Sequence, residues 1–228
     1  MRFDQAKRDY YRRRVQEEGY RSRAAFKLKQ MNEKYQFIKP GSIVADIGAA
    51  PGGWLEVSAE VVGNRGRVIG IDLLPIDPLT KKNVILLQLD ITSPESLERL
   101  DESINKGKFD CVLADLSPKL SGIWDMDHYK QIELCHRVLD LLPSILATGG
   151  STVMKAFQGE HTSSLIPRLK TSFQRFEISK PDASRKESSE VYLVAMGFNG
   201  QVSPRQSEDT REEHRFEEHS GSDESDSL

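Results

Sequence analysis

Short apolar, β-branched runs alternate along this chain with longer stretches whose apolar positions recur at helical spacing. Residues 42–47 (SIVADI), 67–73 (RVIGIDL), 84–90 (VILLQLD), 109–116 (FDCVLADL) and 151–155 (STVMK) predict five strands. Residues 54–62, 94–106, 127–147 and 161–173 predict helices between or after them. Continuous apolar strands alternating with helices imply a mainly parallel sheet covered on both faces. Two further strands are predicted at 176–180 and 190–198. No helix separates them, so an antiparallel pair at the sheet edge is expected. Residues 1–39 are charged and helix-like, with an apolar stripe of Ala24, Ala25, Phe26, Leu28 and Met31, and stop at Pro40-Gly41.

The length of 228 residues suits one domain with short appendages. The net charge of −3 conceals a gradient. Residues 1–39 carry 12 Lys/Arg against 5 Asp/Glu, whereas 203–228 carry 3 Arg against 9 Asp/Glu. A basic front end points to a polyanionic partner. Residues 201–228 hold only Phe216 and Leu228 as large apolar side chains, too few to offset ordering entropy, so a disordered acidic tail is expected. Three parts follow: a basic helical extension over 1–39 packed on the domain, a main domain over 40–200, and the tail over 201–228. Cys111 and Cys135 make neither a disulfide framework nor a zinc-ligand spacing, and no metal is expected. No apolar run approaches the ~18 residues of a membrane span. The first residues lack the apolar stretch of a signal peptide. A soluble, cytoplasmic protein is expected.

The segment 46–54 (DIGAAPGGW) falls where the first strand turns into a helix. Small residues there let a ligand approach the backbone, where helix N-terminal amides face it. The spacing is not GxGxxG, and Pro51 removes an amide donor, which suits a pyrophosphate poorly. Asp72, Asp90 and Asp115 end the next three strands, so with Asp46 four carboxylates share one rim of the sheet. Asp72 is placed to accept from ribose hydroxyls. Each acid alone reads equally as a helix cap; four in register point to a ligand. A row of acids disfavours several phosphates and suits a nucleoside with a cationic centre. S-adenosyl-L-methionine has a ribose diol, an adenine amine and a sulfonium, and no phosphate. Lys155 ends the fifth strand; burial would lower its pKa and a neighbouring carboxylate would raise it. On the residues alone, a snorkelling surface lysine is an equal reading.

The segments SRAAFKL (22–28), DIGAAPGGW (46–54), IDLLPIDP (71–78), LADLSP (113–118), GGSTVMKAFQGE (149–160) and KPDASRKESSEVYLVA (180–195) together resemble the FtsJ/RrmJ-like RNA ribose 2′-O-methyltransferases. The resemblance runs from about residue 3 to 198, in order and at the expected spacing, and within the family is strongest to members acting on a uridine of large-subunit (23S) rRNA. It implies a Rossmann-like class I fold, an α/β seven-stranded mixed sheet with an antiparallel seventh strand and helices on both faces. It implies a Lys-Asp-Lys-Glu tetrad on Lys27, Asp115, Lys155 and Glu190, with Lys155 as proton acceptor. It implies S-adenosyl-L-methionine as cofactor, held at Gly52, Trp54, Asp72, Asp90 and Asp115.

The basic front end then gains a partner. Arg8, Arg12, Arg13, Arg21 and Arg23 are expected to track phosphates of rRNA or a large ribosomal subunit, with Tyr10, Tyr11 and Tyr20 available for stacking. A monomer is expected. A tRNA or cap-ribose 2′-O-methyltransferase shares the tetrad, but the compact chain and the IDLLPIDP and KPDASR segments favour rRNA. A nicotinamide-dependent dehydrogenase would use Asp72 but not the Pro51 turn. A noncatalytic ribosome-assembly factor is opposed by the intact tetrad.

Overall fold

The computed structural model describes residues 2–93, 96–104, 107–185 and 187–205, with side chains described from Tyr10 onward except at Asp101. Two helices lead, α1 (Arg2–Glu18) and α2 (Ala24–Tyr35). Alternation follows: β1 (Ile43–Ile47), α3 (Gly53–Val62), β2 (Arg67–Asp72), β3 (Val84–Gln88), α4 (Ser96–Ser103), β4 (Phe109–Ala114), α5 (Trp124–Ile145), β5 (Leu146–Phe157) and α6 (Leu165–Ser172). The strands β6 (Phe173–Ser179) and β7 (Glu190–Phe198) close the fold.

All seven strands form one sheet in the order β3-β2-β1-β4-β5-β7-β6. Pairs among β1 to β5 are parallel, and β7 runs antiparallel to both β5 and β6. The expected edge pair is therefore present, but β7 is interior and β6 takes the edge. The twofold apolar character of the central strands matches burial on both faces. On one face Val138, Leu139, Leu142, Leu100 and Leu169 from α4, α5 and α6 pack on Ile69, Met154 and Leu193. On the other, Phe26, Leu28 and Met31 of α2 join Leu55 and Val57 of α3 on Val44, Val153 and Tyr192. Burying each such side chain contributes about 1.5–3 kcal/mol. The stripe read at 24–31 is thus the inner face of a helix that belongs to the sheet's own covering layer.

The chain order reverses between β1 and β4, so their carboxyl ends splay apart and open a crevice there. At the other end of the described residues, Ser203 and Arg205 are tied to the domain. Ser203 O accepts from Arg168 at 2.7 Å, and Arg205 pairs with Glu133 of α5 at 2.9 Å. Just past the boundary expected at 200, an acidic side chain on α5 thus holds the chain through Arg205. The rest of the expected tail lies outside the described residues. No helix among the described residues is long and apolar enough to cross a membrane.

Candidate active site

The crevice at the strand ends is a cleft of about 730 Å³. Gly48, Ala50, Asp72, Asp90 and Asp115 line it, with apolar walls from Ile71, Leu73, Leu89 and Leu116 among others. β1 ends in a turn that only glycine fits well. Gly48 has φ +79°, and a Cβ there would lie 3.0 Å from the Leu116 backbone nitrogen. The turn is pinned from β2: Asp72 Oδ2 accepts from the Ala50 amide at 2.9 Å, and Oδ1 from the Leu74 amide at 2.8 Å. Asp72 thereby fixes both lips of the cleft while each oxygen keeps a second lone pair for a ligand hydroxyl. Asp90 lies past the end of β3. Bonds from the Thr92 amide and hydroxyl hold its carboxyl below the usual range.

Asp46 is fully buried on β1, and neither carboxyl oxygen has a hydrogen-bond partner among the described residues. Burial first, then Asp115 and Asp72, push its pKa well up. Asp46 therefore lies behind the rim on which it was expected, and the acids that line the cleft are Asp72, Asp90 and Asp115, a set that disfavours phosphate and suits hydroxyls and a cationic centre. The cleft's volume, its acidic carboxyl rim and its apolar walls fit S-adenosyl-L-methionine on these grounds.

Gly52 and Trp54 stand differently from the three aspartates. Neither is among the residues that line the cleft. The Trp54 indole is 3% exposed, donates to Ala24 O at 2.9 Å, and packs 5.7 Å from the Tyr192 ring. Gly52 caps α3, so the unpaired amides of the first turn, not the side chains, are what this segment can offer a ligand.

The four tetrad positions come from α2, the residue after β4, β5 and β7, and meet as two ion pairs. Lys155 Nζ lies 3.0 Å from Asp115 Oδ1 and donates to Asp115 O at 3.1 Å. Lys27 Nζ lies 2.5 Å from Glu190 Oε1. Burial raises the Asp115 pKa even though Lys155 and Lys27 oppose it. Burial also acts to raise Glu190, but Lys27, Lys155 and Tyr192 outweigh it and the carboxyl ends below its ordinary value. Lys155 is anchored from behind, where Gln131 Nε2 and Cys135 Sγ of α5 both donate to its carbonyl, at 2.8 and 3.2 Å.

Tyr192 was missed by sequence reasoning. Its hydroxyl accepts from Lys27 Nζ at 3.2 Å and donates to Glu190 Oε1 at 3.1 Å. A signal existed, since strand residues two apart share a face and Tyr192 follows Glu190 by two. Asp127, on α5, was also missed; it accepts from the Ser121 amide at 2.7 Å and the Gly122 amide at 3.0 Å, fixing the loop that continues from the cleft wall.

The expected RNA-contacting residues divide. Arg12 and Arg13 are exposed on α1, and Arg8 lies on the same helix with its side chain outside the described set. Arg23 opens α2 and acts electrostatically on Tyr192, which places it near the tetrad. Arg21 is committed elsewhere. Its guanidinium donates to Pro51 O at 3.2 Å, Asp77 O at 2.6 Å and Pro78 O at 2.7 Å, and its amide donates to Glu56. It clamps the glycine turn to the loop after β2. Tyr11 and Tyr20 are buried and bonded to Gln30 and Glu60, so of the three tyrosines Tyr10 alone offers an exposed ring.

A profile of FtsJ-like methyltransferases matches residues 20–198. The ribosomal RNA large subunit methyltransferase E of Methanocaldococcus jannaschii is 44% identical over 198 residues, 86% of this chain and 81% of that protein. Its namesake from Nitrosopumilus maritimus is 41% identical over 202 residues, 88% of this chain and 100% of that one. Among solved structures, a provisionally assigned ribosomal RNA methyltransferase from Plasmodium falciparum superposes with a TM-score of 0.73 at 33% identity, covering 80% of this chain and 100% of that one. Aeropyrum pernix fibrillarin, solved with natively bound S-adenosyl-L-methionine, shares the fold at a TM-score of 0.52 and 18% identity over 76% of this chain and 73% of its own. With its cleft at the sheet's switch point and two lysine–carboxylate pairs beside it, the chain belongs to the FtsJ-like methyltransferase family.

Proposed function

We propose that the protein methylates a ribose 2′-hydroxyl of large-subunit ribosomal RNA, a uridine by resemblance, with S-adenosyl-L-methionine as donor. The observation that carries this is the pair of lysine–carboxylate contacts at the rim of the acidic cleft. The bound cofactor supplies a methyl group made electrophilic by a sulfonium.

A 2′-hydroxyl is a poor nucleophile and needs its proton removed as it attacks. Lys155 is the proton acceptor. An amine nitrogen has three outward directions besides its stem, and Asp115 occupies two of them. The third is left for the hydroxyl, and in the neutral amine it holds the lone pair that takes the proton. Asp115 also lines the cleft, so one side chain sets both the acceptor's base and the donor's seat. Lys27, held by Glu190 and Tyr192, supplies the donors that orient the ribose and steady the charge growing on its oxygen. Alignment of oxygen, methyl and sulfur by these groups contributes up to about 7–11 kcal/mol. Proton removal and positioning by the four side chains proceed without a metal ion.

Asp72 takes the ribose diol of the cofactor, Asp90 its adenosine end, and the amides of Gly52 and Trp54 at the start of α3 its amino-acid end. RNA phosphates lie along Arg8, Arg12, Arg13 and Arg23 on the first two helices. The expected monomer in the cytoplasm accords with an enzyme of ribosomal RNA.

The test is incubation with methyl-labelled S-adenosyl-L-methionine and three substrates: unmodified tRNA, free large-subunit rRNA, and large subunits lacking 2′-O-methyl groups. Label in 2′-O-methyluridine from rRNA or subunits is expected. Label confined to tRNA would overturn the substrate, and no label with cofactor bound would favour the assembly-factor reading.

A further inference from the structure

Two residues beyond Lys155 on β5, the Phe157 ring lies 6.0 Å from that of Trp124, with the planes 26° apart. Trp124 is the first residue of α5 and stacks on His128 one turn later, at 5.5 Å and 13°. The underside of this stack is fixed. His128 is buried, and its Nε2 sits 3.3 Å from Thr162 Oγ1. That hydroxyl donates to Phe157 O at 2.8 Å and accepts from the Gly159 amide at 3.0 Å. A Cβ on Gly159 would fall 2.4 Å from the imidazole, so the turn after β5 lies flat against the ring. The indole itself is 47% exposed, and Tyr129, further along α5, is 53% exposed. A solvent-facing position in the first turn of an amphipathic helix ordinarily takes a polar residue. Here it holds the largest aromatic side chain, propped flat by two other rings.

We propose that Trp124, backed by His128 and Phe157, is a stacking subsite for an unpaired nucleobase adjoining the nucleotide that is methylated. This rests on the ribose-methylation reading above and adds where the neighbouring base goes. β5 joins the two sites directly. At about 3.3 Å per residue, Phe157 lies about 6.6 Å along the strand from Lys155 and on the same face. Phe157 stands opposite Glu190 in the ladder, as Lys155 stands opposite Tyr192. A ribose seated on the tetrad therefore has its flanking nucleotide at this surface. Single-stranded RNA is held by stacking unpaired bases on aromatic side chains, and every base offers a flat face. An indole 47% exposed and held near-parallel to two neighbouring rings matches that occupant. Lys119 and Lys130, both exposed around the cleft mouth, supply cations for the adjoining phosphates.

The test compares Trp124→Ala, Trp124→Leu and Trp124→Phe on large subunits lacking 2′-O-methyl groups. Loss of one base–aromatic stack is expected to raise KM about tenfold in the Ala and Leu variants, with kcat nearly unchanged. Trp124→Phe is expected to stay near the wild type. An unchanged KM in Trp124→Ala would overturn the subsite. So would Leu serving as well as Phe, which would mark apolar packing, as against a protein surface, in place of stacking. If the wild type methylates no RNA, the function reading fails and fluorescence decides the subsite separately. The chain has two tryptophans, and Trp54 is buried. Quenching by a single-stranded oligoribonucleotide that is present in the wild type and absent in Trp124→Phe would sustain stacking; equal quenching in both, or none, would end it.

Discussion

Tyr192 stands directly opposite Lys155 in the β5–β7 ladder, and its hydroxyl serves the other ion pair of the site. It joins Lys27 to Glu190 while its ring packs on Trp54. Burial first, then Asp115 and Glu190, push its ionisation far up, so the hydroxyl stays neutral and supplies one donor and one acceptor. One side chain thus ties the Lys27–Glu190 pair to the strand that carries Lys155.

Tyr192→Phe keeps the ring and removes that tie. We expect kcat to fall roughly tenfold through misplacement of Lys27. Stability should fall by about 0.5–1.5 kcal/mol, as for one buried hydrogen bond. Labelled-methyl incorporation and thermal unfolding measure the two effects. A kcat equal to the wild type would leave Tyr192 with a packing role only.

Lys155→Met keeps the stem and removes the amine. Loss of a positioned proton acceptor is expected to lower kcat by about 10²–10⁴-fold. Cofactor binding, measured by calorimetry, should persist, because the cleft walls at Asp72 and Asp90 are untouched. Methylation at the wild-type rate would exclude Lys155 from the proton transfer.

The order and type of the strands were legible because each is apolar over its whole length, and a sheet covered on both faces demands that. The acids at 72, 90 and 115 were legible because strand ends in register share a rim. The internal contacts of the basic residues were not. Arg21 and Arg12 look alike in sequence, but Arg21 meets three carbonyls from segments 30 and more residues away. Composition carries no trace of such long-range contacts. The same holds for Tyr11 and Tyr20, whose polar tips find partners inside the fold. The contacts just past residue 200 were hidden for a related reason: Arg205 finds Glu133 and Asp140 on α5, and Val202 packs on the core.

Asp46 makes stability depend on pH with a sign opposite to that of most carboxylates. Its folded pKa is raised well above the unfolded value near 4. Above pH ~4 the folded chain therefore binds more protons at this site than the unfolded chain, and stability falls as pH rises toward the folded pKa. Asp46→Asn removes that slope. Thermal unfolding from pH 4 to 7.5 should show the difference in Tm, variant minus wild type, shifting in the variant's favour as pH rises. The Asn amide adds an offset that does not vary with pH. A pH-independent difference would mean that Asp46 keeps an ordinary ionisation.

Salt dependence separates the arginines on the basic front end. Each phosphate contact to a single strand contributes about 0.7 to the slope of log K against log salt. Arg12→Ala and Arg13→Ala remove exposed cations on α1 and should each flatten the slope of RNA binding by about that amount. Arg21→Ala should leave the slope unchanged. Its guanidinium is spent on Pro51, Asp77 and Pro78, so the loss should appear as about 1–2 kcal/mol of stability and as weaker cofactor binding through a loosened glycine turn. Binding titrations at four salt concentrations, with unfolding curves for each variant, make the distinction. A slope reduced by Arg21→Ala and untouched by the α1 variants would reverse the assignment and move the RNA path from α1 to the mouth of the cleft.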